Sequence, residues 1–296
     1  MLADQLQQHG FQIDFVDPPK IPIKNLKNPS FVITSSLSSF FKGSYDIVHA
    51  FNVPSAFAMK AARAKKRVLS IHGVFSDQVN ALHSSTLSGI AGATEQNVLK
   101  WADALTTDSK ASQKTYKEKL GLDFAYMPSP IDTTKFQDLG EVEKKENQIA
   151  YVGRDSYEKG IDILRQIEPK IKGSVVYSTN LTWKEAMRAI KSSSIVVVPS
   201  RMESLPTVVK EAFYLKVPVI ATTVGGIPEL VIDGNTGILV PPENPETLLE
   251  KINSLLQDKE YAKKLTDAAY DFVVNNMTWD TILPKYVKFY ESILES

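Results

Sequence analysis

The chain has 296 residues, 43% apolar and 23% charged, an ordinary globular composition that excludes a disordered tail, a fibrous repeat or a disulfide-stapled miniprotein and, at roughly 150 residues per domain, predicts two domains. Lys plus Arg and Asp plus Glu number 34 each, so bulk charge makes no case for nucleic acid as a partner. With no cysteine, disulfides, thiolate zinc sites and a cysteine nucleophile are ruled out.

Short apolar runs alternate with amphipathic stretches along the chain, the pattern of parallel sheets with crossover helices. Leu2 to His9 reads as a helix stopped by Gly10, and Gln12 to Val16 as a strand. Asp46 to Ala50 is a second strand, Ser55 to Ala64 a helix and Arg67 to Ile71 a third strand. Gly92 to Lys100 is helical, Ala104 to Thr107 a strand, and Ser109 to Lys119 a helix closed by Gly121. The start has no basic-then-apolar leader pattern, and no apolar run reaches the about 18 residues that cross a bilayer. The expected location is therefore cytoplasmic, where the triplets at Asn180 and Asn276 carry no glycosylation meaning.

The charged segment Glu141 to Gln148 marks the expected domain boundary, giving domains 1–145 and 146–278. After it the pattern restarts. Strands are expected at 149–152, 174–177, 195–198 and 219–221. Helices are expected at 160–167, at 183–191 with Thr182 as cap, from Pro206 to about Lys216, from Pro228 to Ile232, and at 245–257. Ile195-Val-Val-Val198 shows no polar alternation, so it is expected to be buried on both faces. The aromatic-rich end, 279–296, reads as a last helix.

Ligand chemistry is densest between Pro199 and Glu229. In an open parallel sheet, loops leaving the carboxyl ends of the strands form the ligand crevice. The loop Ser200 to Leu205 lies there and leads into a helix N-terminus, whose free N–H groups and partial positive charge favour a phosphate. Glu203 in that crevice repels a phosphate but accepts hydrogen bonds from hydroxyls, and Glu211 follows two turns later. Arg154 and Lys159, after another strand, suit a diphosphate. The loop Val224-Gly-Gly-Ile-Pro-Glu229 permits close backbone approach to a ligand. Together these predict a sugar–diphosphate–nucleoside ligand. There is no Asp-x-Asp or His-Glu-x-x-His, so no metal site is expected. No strand leads into Gly-x-Gly-x-x-Gly, which leaves a dehydrogenase unsupported.

Pro199-Ser-Arg-Met-Glu-Ser-Leu-Pro-Thr-Val-Val-Lys-Glu211, Val217-Pro-Val-Ile-Ala, Val224 to Glu229, Gly234 to Pro242, Val152-Gly-Arg154 with Lys159-Gly160, and Pro130-Ile-Asp132 with Phe136 resemble the signature of retaining glycosyltransferases of family 4. The resemblance implies an α/β fold of two Rossmann-like domains facing each other across a cleft (GT-B), with the first domain shortened at its N-terminus and helix 279–296 packing back on it. It implies sugar transfer from a nucleotide diphosphate sugar to a hydroxyl of a glycan or lipid-linked acceptor, with retention and without metal or other cofactor. The alternative is a non-catalytic nucleotide-sugar or glycan binder on the same fold. The catalytic set implied is His72, Arg154, Lys159 and Glu203. Donor contacts are implied at Gly73, Arg154, Lys159, Asn180, Leu181, Glu203, Ser204, Leu205, Pro206, Thr207, Val208 and Glu211, with the base near Ser178 to Leu181. The basic cluster Lys60, Arg63, Lys65, Lys66 and Arg67 is expected as a solvated helix end, with peripheral membrane contact as the alternative.

Overall fold

The structure, a computed structural model, describes residues 2–16, 27–73 and 85–296. It divides into two compact units, one of residues 1–128 with 283–296 and one of residues 129–282. The charged run 141–148 therefore lies inside the second unit. The last helix (Trp279–Glu295) contributes its residues from Leu283 onward to the first.

The first unit holds a parallel sheet in the order β1 (Ser44–Phe51), β2 (Arg63–Ile71), β3 (Ala104–Thr107) and β4 (Ala125–Tyr126). Helix α1 (Leu2–Gln8) ends before Gly10, whose φ of 86° is left-handed. The expected strand at 12–16 does not form. Its side chains find no buried face, and the segment is held instead by Tyr45 Oη donating to Asp14 (2.9 Å) and Lys42 Nζ donating to the Phe15 carbonyl (2.7 Å). A helix without a sequence expectation, α2 (Lys27–Phe41), lies against α3 (Val53–Ala61). Helix α3 stops at Ala61 and β2 begins at Arg63, so Arg63, Lys65, Lys66 and Arg67 stand on a strand rather than at a helix end. Helix α4 spans Ser85–Leu99, and α5 (Lys110–Leu120) has the expected Gly121 stop, with Ser109 as its cap rather than its first residue.

The second unit is a five-stranded parallel sheet, β5 (Gln148–Val152), β6 (Ser174–Ser178), β7 (Ile195–Val198), β8 (Val219–Thr222) and β9 (Ile238–Val240), in the order β6-β5-β7-β8-β9. The order reverses between β5 and β7, which pair through Ile149 with Ile195 and Ala150 with Val196. Every residue of β7 and β8 is buried, as expected for strands covered on both faces. Helices α6 (Ile161–Ile167) and α7 (Trp183–Ser192) follow β5 and β6, and α7 starts in a full Thr182–Glu185 capping box. Helix α8 (Thr207–Tyr214) is shorter than expected, with Pro206 as its cap rather than in its first turn. It is followed by α9 (Ile227–Leu230), α10 (Pro245–Gln257), α11 (Lys259–Asn276) and the last helix, α12. Helix α11 lacks a sequence expectation, although Asp258 caps it and Leu265, Ala269 and Val273 bury one stripe.

Candidate functional site

A doubly wound sheet opens its crevice where the strand order reverses, outside the carboxyl ends of the strands. In the second unit a pocket of about 160 Å³ lies at that point, with Tyr151 and Val152 from β5 and Val197 and Val198 from β7 in its lining. Lys159, Ser200, Glu203, Pro206, Thr207 and Val208 complete it. Lys159 Nζ donates to Glu203 Oε1 at 2.7 Å, and Ser200 Oγ donates to the same oxygen at 2.8 Å. No bond from the described residues is directed to Oε2. Glu203 is mostly buried, its side chain 8% exposed. The α8 N-terminus at the pocket has no side-chain cap, so its first N–H groups are available to an anion.

Close backbone contacts hold both charged side chains. Gly160 has φ 65°, and a Cβ there would lie 1.9 Å from the Pro199 carbonyl oxygen. This locks the Lys159 turn onto the end of β7. Gly225 has φ 52°, and a Cβ there would lie 1.8 Å from the carbonyl oxygen of Glu203. The Val224-Gly-Gly loop thus uses its lack of side chain to approach the Glu203 loop, and the Gly226 N–H donates to the Ser204 carbonyl (2.8 Å). Arg201, the remaining cation of the loop, is spent on structure. It binds Asp162 at 2.7 Å and Glu243 at 3.0 Å and stacks on Tyr157.

The other expected donor residues are arranged less uniformly. Arg154 is exposed and pairs with Glu158 Oε1 at 3.0 Å. Burial works against the Glu158 charge, but its backbone hydrogen bonds, Ser156 and the cations Arg154 and Lys159 outweigh it and hold its carboxyl below the usual range. Both expected cations therefore already face a carboxylate. The Leu205 side chain is in the core, and Ser204 is half-buried. Asn180 and Leu181 are exposed in the loop after β6. Glu211 is buried and accepts from the Trp183 indole N–H at 2.7 Å. Burial pushes its pKa up, against the pull of Trp183, Lys210 and Lys135. Sequence reasoning missed Ser200 and Trp183 as partners of the two glutamates; the signal was their place after β7 and at the start of α7.

His72 and Gly73 belong to the first unit. His72 follows β2, and its Nδ1 lies 3.0 Å from the buried Asp108 carboxylate. A proton on Nδ1 shared with Asp108 leaves Nε2 as an acceptor. Gly73 has φ 78°, in the left-handed region, and its carbonyl accepts from Tyr116. Beneath this loop His49 is bonded at both ring nitrogens, to Tyr290 Oη and Ser70 Oγ, each at 2.6 Å. Burial and then the charge of His72 lower its pKa to about 3. No sequence signal marked His49 or Asp108, because their pairing depends on strand register.

Two family descriptions match the chain: Glycosyltransferase Family 4 over residues 2–135 and Glycosyl transferases group 1 over residues 167–272. The chain belongs to the glycosyltransferases of family 4. Among curated relatives it is 24% identical to the uncharacterized glycosyltransferase MJ1607 of Methanocaldococcus jannaschii, over 85% of this chain and 76% of that one. Among solved structures, sucrose-phosphate synthase from Thermosynechococcus elongatus superposes with a TM-score of 0.78 at 19% identity, over 95% of this chain and 82% of that one. HepE of Anabaena, solved in complex with UDP-glucose, gives 0.69 at 18% identity, over 98% of this chain and 88% of that one. The fold of this family member is the GT-B type. No helix among its described residues is long and apolar enough to cross a membrane.

Proposed function

We propose that this family member transfers a sugar from a nucleoside diphosphate sugar to a hydroxyl of a glycan or lipid-linked acceptor, with retention at the anomeric carbon. The observation that carries the reading is the Lys159–Glu203 pair at the strand-order reversal, beside an uncapped helix N-terminus. Lys159 would leave Glu203 for the diphosphate, joined by Arg154 and the N–H groups at Thr207 and Val208. The freed Glu203 would accept from a sugar hydroxyl. Glu211 would accept from the ribose beside its bond to Trp183, since a carboxylate has about four lone-pair sites. Asn180 and Leu181 would border the base. His72, held by Asp108, would bond a substrate hydroxyl. UDP-glucose in the HepE complex supports this donor class.

In the transfer, the bond between the anomeric carbon and the diphosphate oxygen breaks, and its electron pair stays on the phosphate. The acceptor oxygen bonds to the same face, and its proton passes to the departing phosphate. The protein supplies position and positive charge aimed at the leaving group. Lys159, Arg154 and the helix end provide that charge without a metal, so a chelator should leave turnover unchanged.

The test incubates the protein with UDP-, GDP- and ADP-sugars, reading binding by thermal shift, turnover by nucleotide release, and anomeric configuration by NMR of the product. Binding and turnover that survive both Lys159→Ala and Glu203→Ala would overturn the site. Binding of a donor without turnover on any acceptor would make the protein a binder instead.

A further inference from the structure

Helix α2 is amphipathic the wrong way round for a helix in water. Its buried positions are serines: Ser35 at 0% exposure and Ser39 at 3%. Its exposed positions are large and apolar: Ile33 at 62%, Leu37 at 57%, Phe40 at 62% and Phe41 at 79%. The spacing 33, 37, 40, 41 puts all four on one face. Phe15, also exposed, accepts a bond at its carbonyl from Lys42, the residue after the helix. A surface helix ordinarily turns this face to the core.

The hydroxyls show the same adaptation. Thr34 donates to the Ser30 carbonyl at 2.8 Å, Ser36 to the Val32 carbonyl at 2.7 Å, and Ser35 to the Phe31 carbonyl. Each of these three hydroxyls is bonded four residues back within its own helix. Small residues against the protein, apolar residues outward and internally bonded hydroxyls are the pattern of a helix facing lipid. At 15 residues, about 22 Å long, α2 is too short to span a bilayer and suits its interface.

Charge identifies the lipid. From Pro18 to Tyr45 the sequence has four lysines, Lys20, Lys24, Lys27 and Lys42, and no acidic residue, in a chain whose net charge is zero. Arg63 adds a cation beside Lys42, donating to its carbonyl. A second copy of the chain packed on this face about a two-fold axis would bring like charges together. Further along β2, Lys65 pairs with Asp46, and the Arg67 guanidinium donates to the Ala62 carbonyl.

We propose that the outer face of α2 lies in the interface of a membrane bearing anionic lipid, with Ile33, Leu37, Phe40 and Phe41 among the acyl chains and the cations at the helix end, Lys42 and Arg63, among the headgroups. The proposal does not require the transfer reaction. The full chain is sedimented with vesicles of phosphatidylcholine, with and without phosphatidylglycerol. Binding is expected with phosphatidylglycerol and should weaken as salt rises. The triple variant Ile33→Ser, Leu37→Ser, Phe40→Ser should bind about tenfold or more weaker, and Lys27→Gln with Lys42→Gln about fivefold weaker per lysine. Phe40→Trp should shift its emission to the blue on these vesicles and be quenched by brominated acyl chains. An unchanged unfolding midpoint establishes that the triple variant folds, and its donor thermal shift should equal that of the parent, so a failed donor site and a failed membrane face give separate signals. The proposal falls if the parent ignores phosphatidylglycerol vesicles, if the triple variant binds them equally well, or if the parent is a dimer that the triple variant turns into a monomer.

Discussion

The two sheets invest their apolar residues in opposite directions. In the second unit β7 and β8 are buried along their whole length, and the loops at their ends are bolted by Gly160 and Gly225. In the first unit β1 is largely half-exposed, and the neighbouring helix α2 turns four large apolar side chains outward. Burial on both faces fixes the strand ends and so sets a charged pair within hydrogen-bond distance. Burial on one face leaves apolar area for something outside the chain.

The sharpest break of this comparison is Lys159→Ala. It should lower turnover by about 100- to 1,000-fold in a nucleotide-release assay while leaving vesicle binding intact; equal loss of both would mean a global defect. Gly225→Ala comes next. It puts a Cβ against the Glu203 carbonyl at a left-handed position and should cost about 3 kcal/mol or more, read from urea unfolding; a loss below the noise would mean that the loops yield freely.

The units should also respond to pH with opposite sign. His49 has its folded pKa depressed to about 3, so its contribution is present above the unfolded value of about 6.5 and is lost as pH falls towards about 3. Glu211 has its folded pKa raised, so its contribution is present below the usual carboxyl range and is lost as pH rises through the raised value. In urea midpoints against pH, His49→Gln should flatten the acid limb and Glu211→Gln the fall above the carboxyl range. Matching curves for parent and variants would remove these groups as the cause. The smallest effect is Thr182→Ala, which opens the α7 capping box and should cost about 1 kcal/mol; no change in midpoint would show the cap to be dispensable.

Much of the second unit was legible in the sequence because its strands are short apolar runs rich in Val and Ile and its turns carry Gly and Pro. Ile195 to Val198 and Pro245 to Gln257 form as expected. The first unit was less legible for a physical reason. The pattern of α2 answers to a medium outside the protein, so a search for a core-facing stripe passes over it, and β2 opens on basic residues that read as the end of a helix. At the site, the motifs marked Lys159, Glu203 and Glu211 but not what they bind at rest. That Lys159 closes on Glu203, Arg154 on Glu158 and Trp183 on Glu211 follows from sheet order and glycine contacts over separations of up to 44 residues.

The bond between Lys159 and Glu203 makes the pocket a test of completeness. Bare inorganic phosphate could draw the ammonium away only by stranding a largely dehydrated carboxylate, and a free hexose could satisfy the carboxylate without replacing its cation. A molecule carrying anion and hydroxyls on one frame repays both halves of the separated pair. In the proposed transfer, the nucleotide left after the sugar departs would meet the same obligation with half the means, and the pair's own closure would then help to expel it.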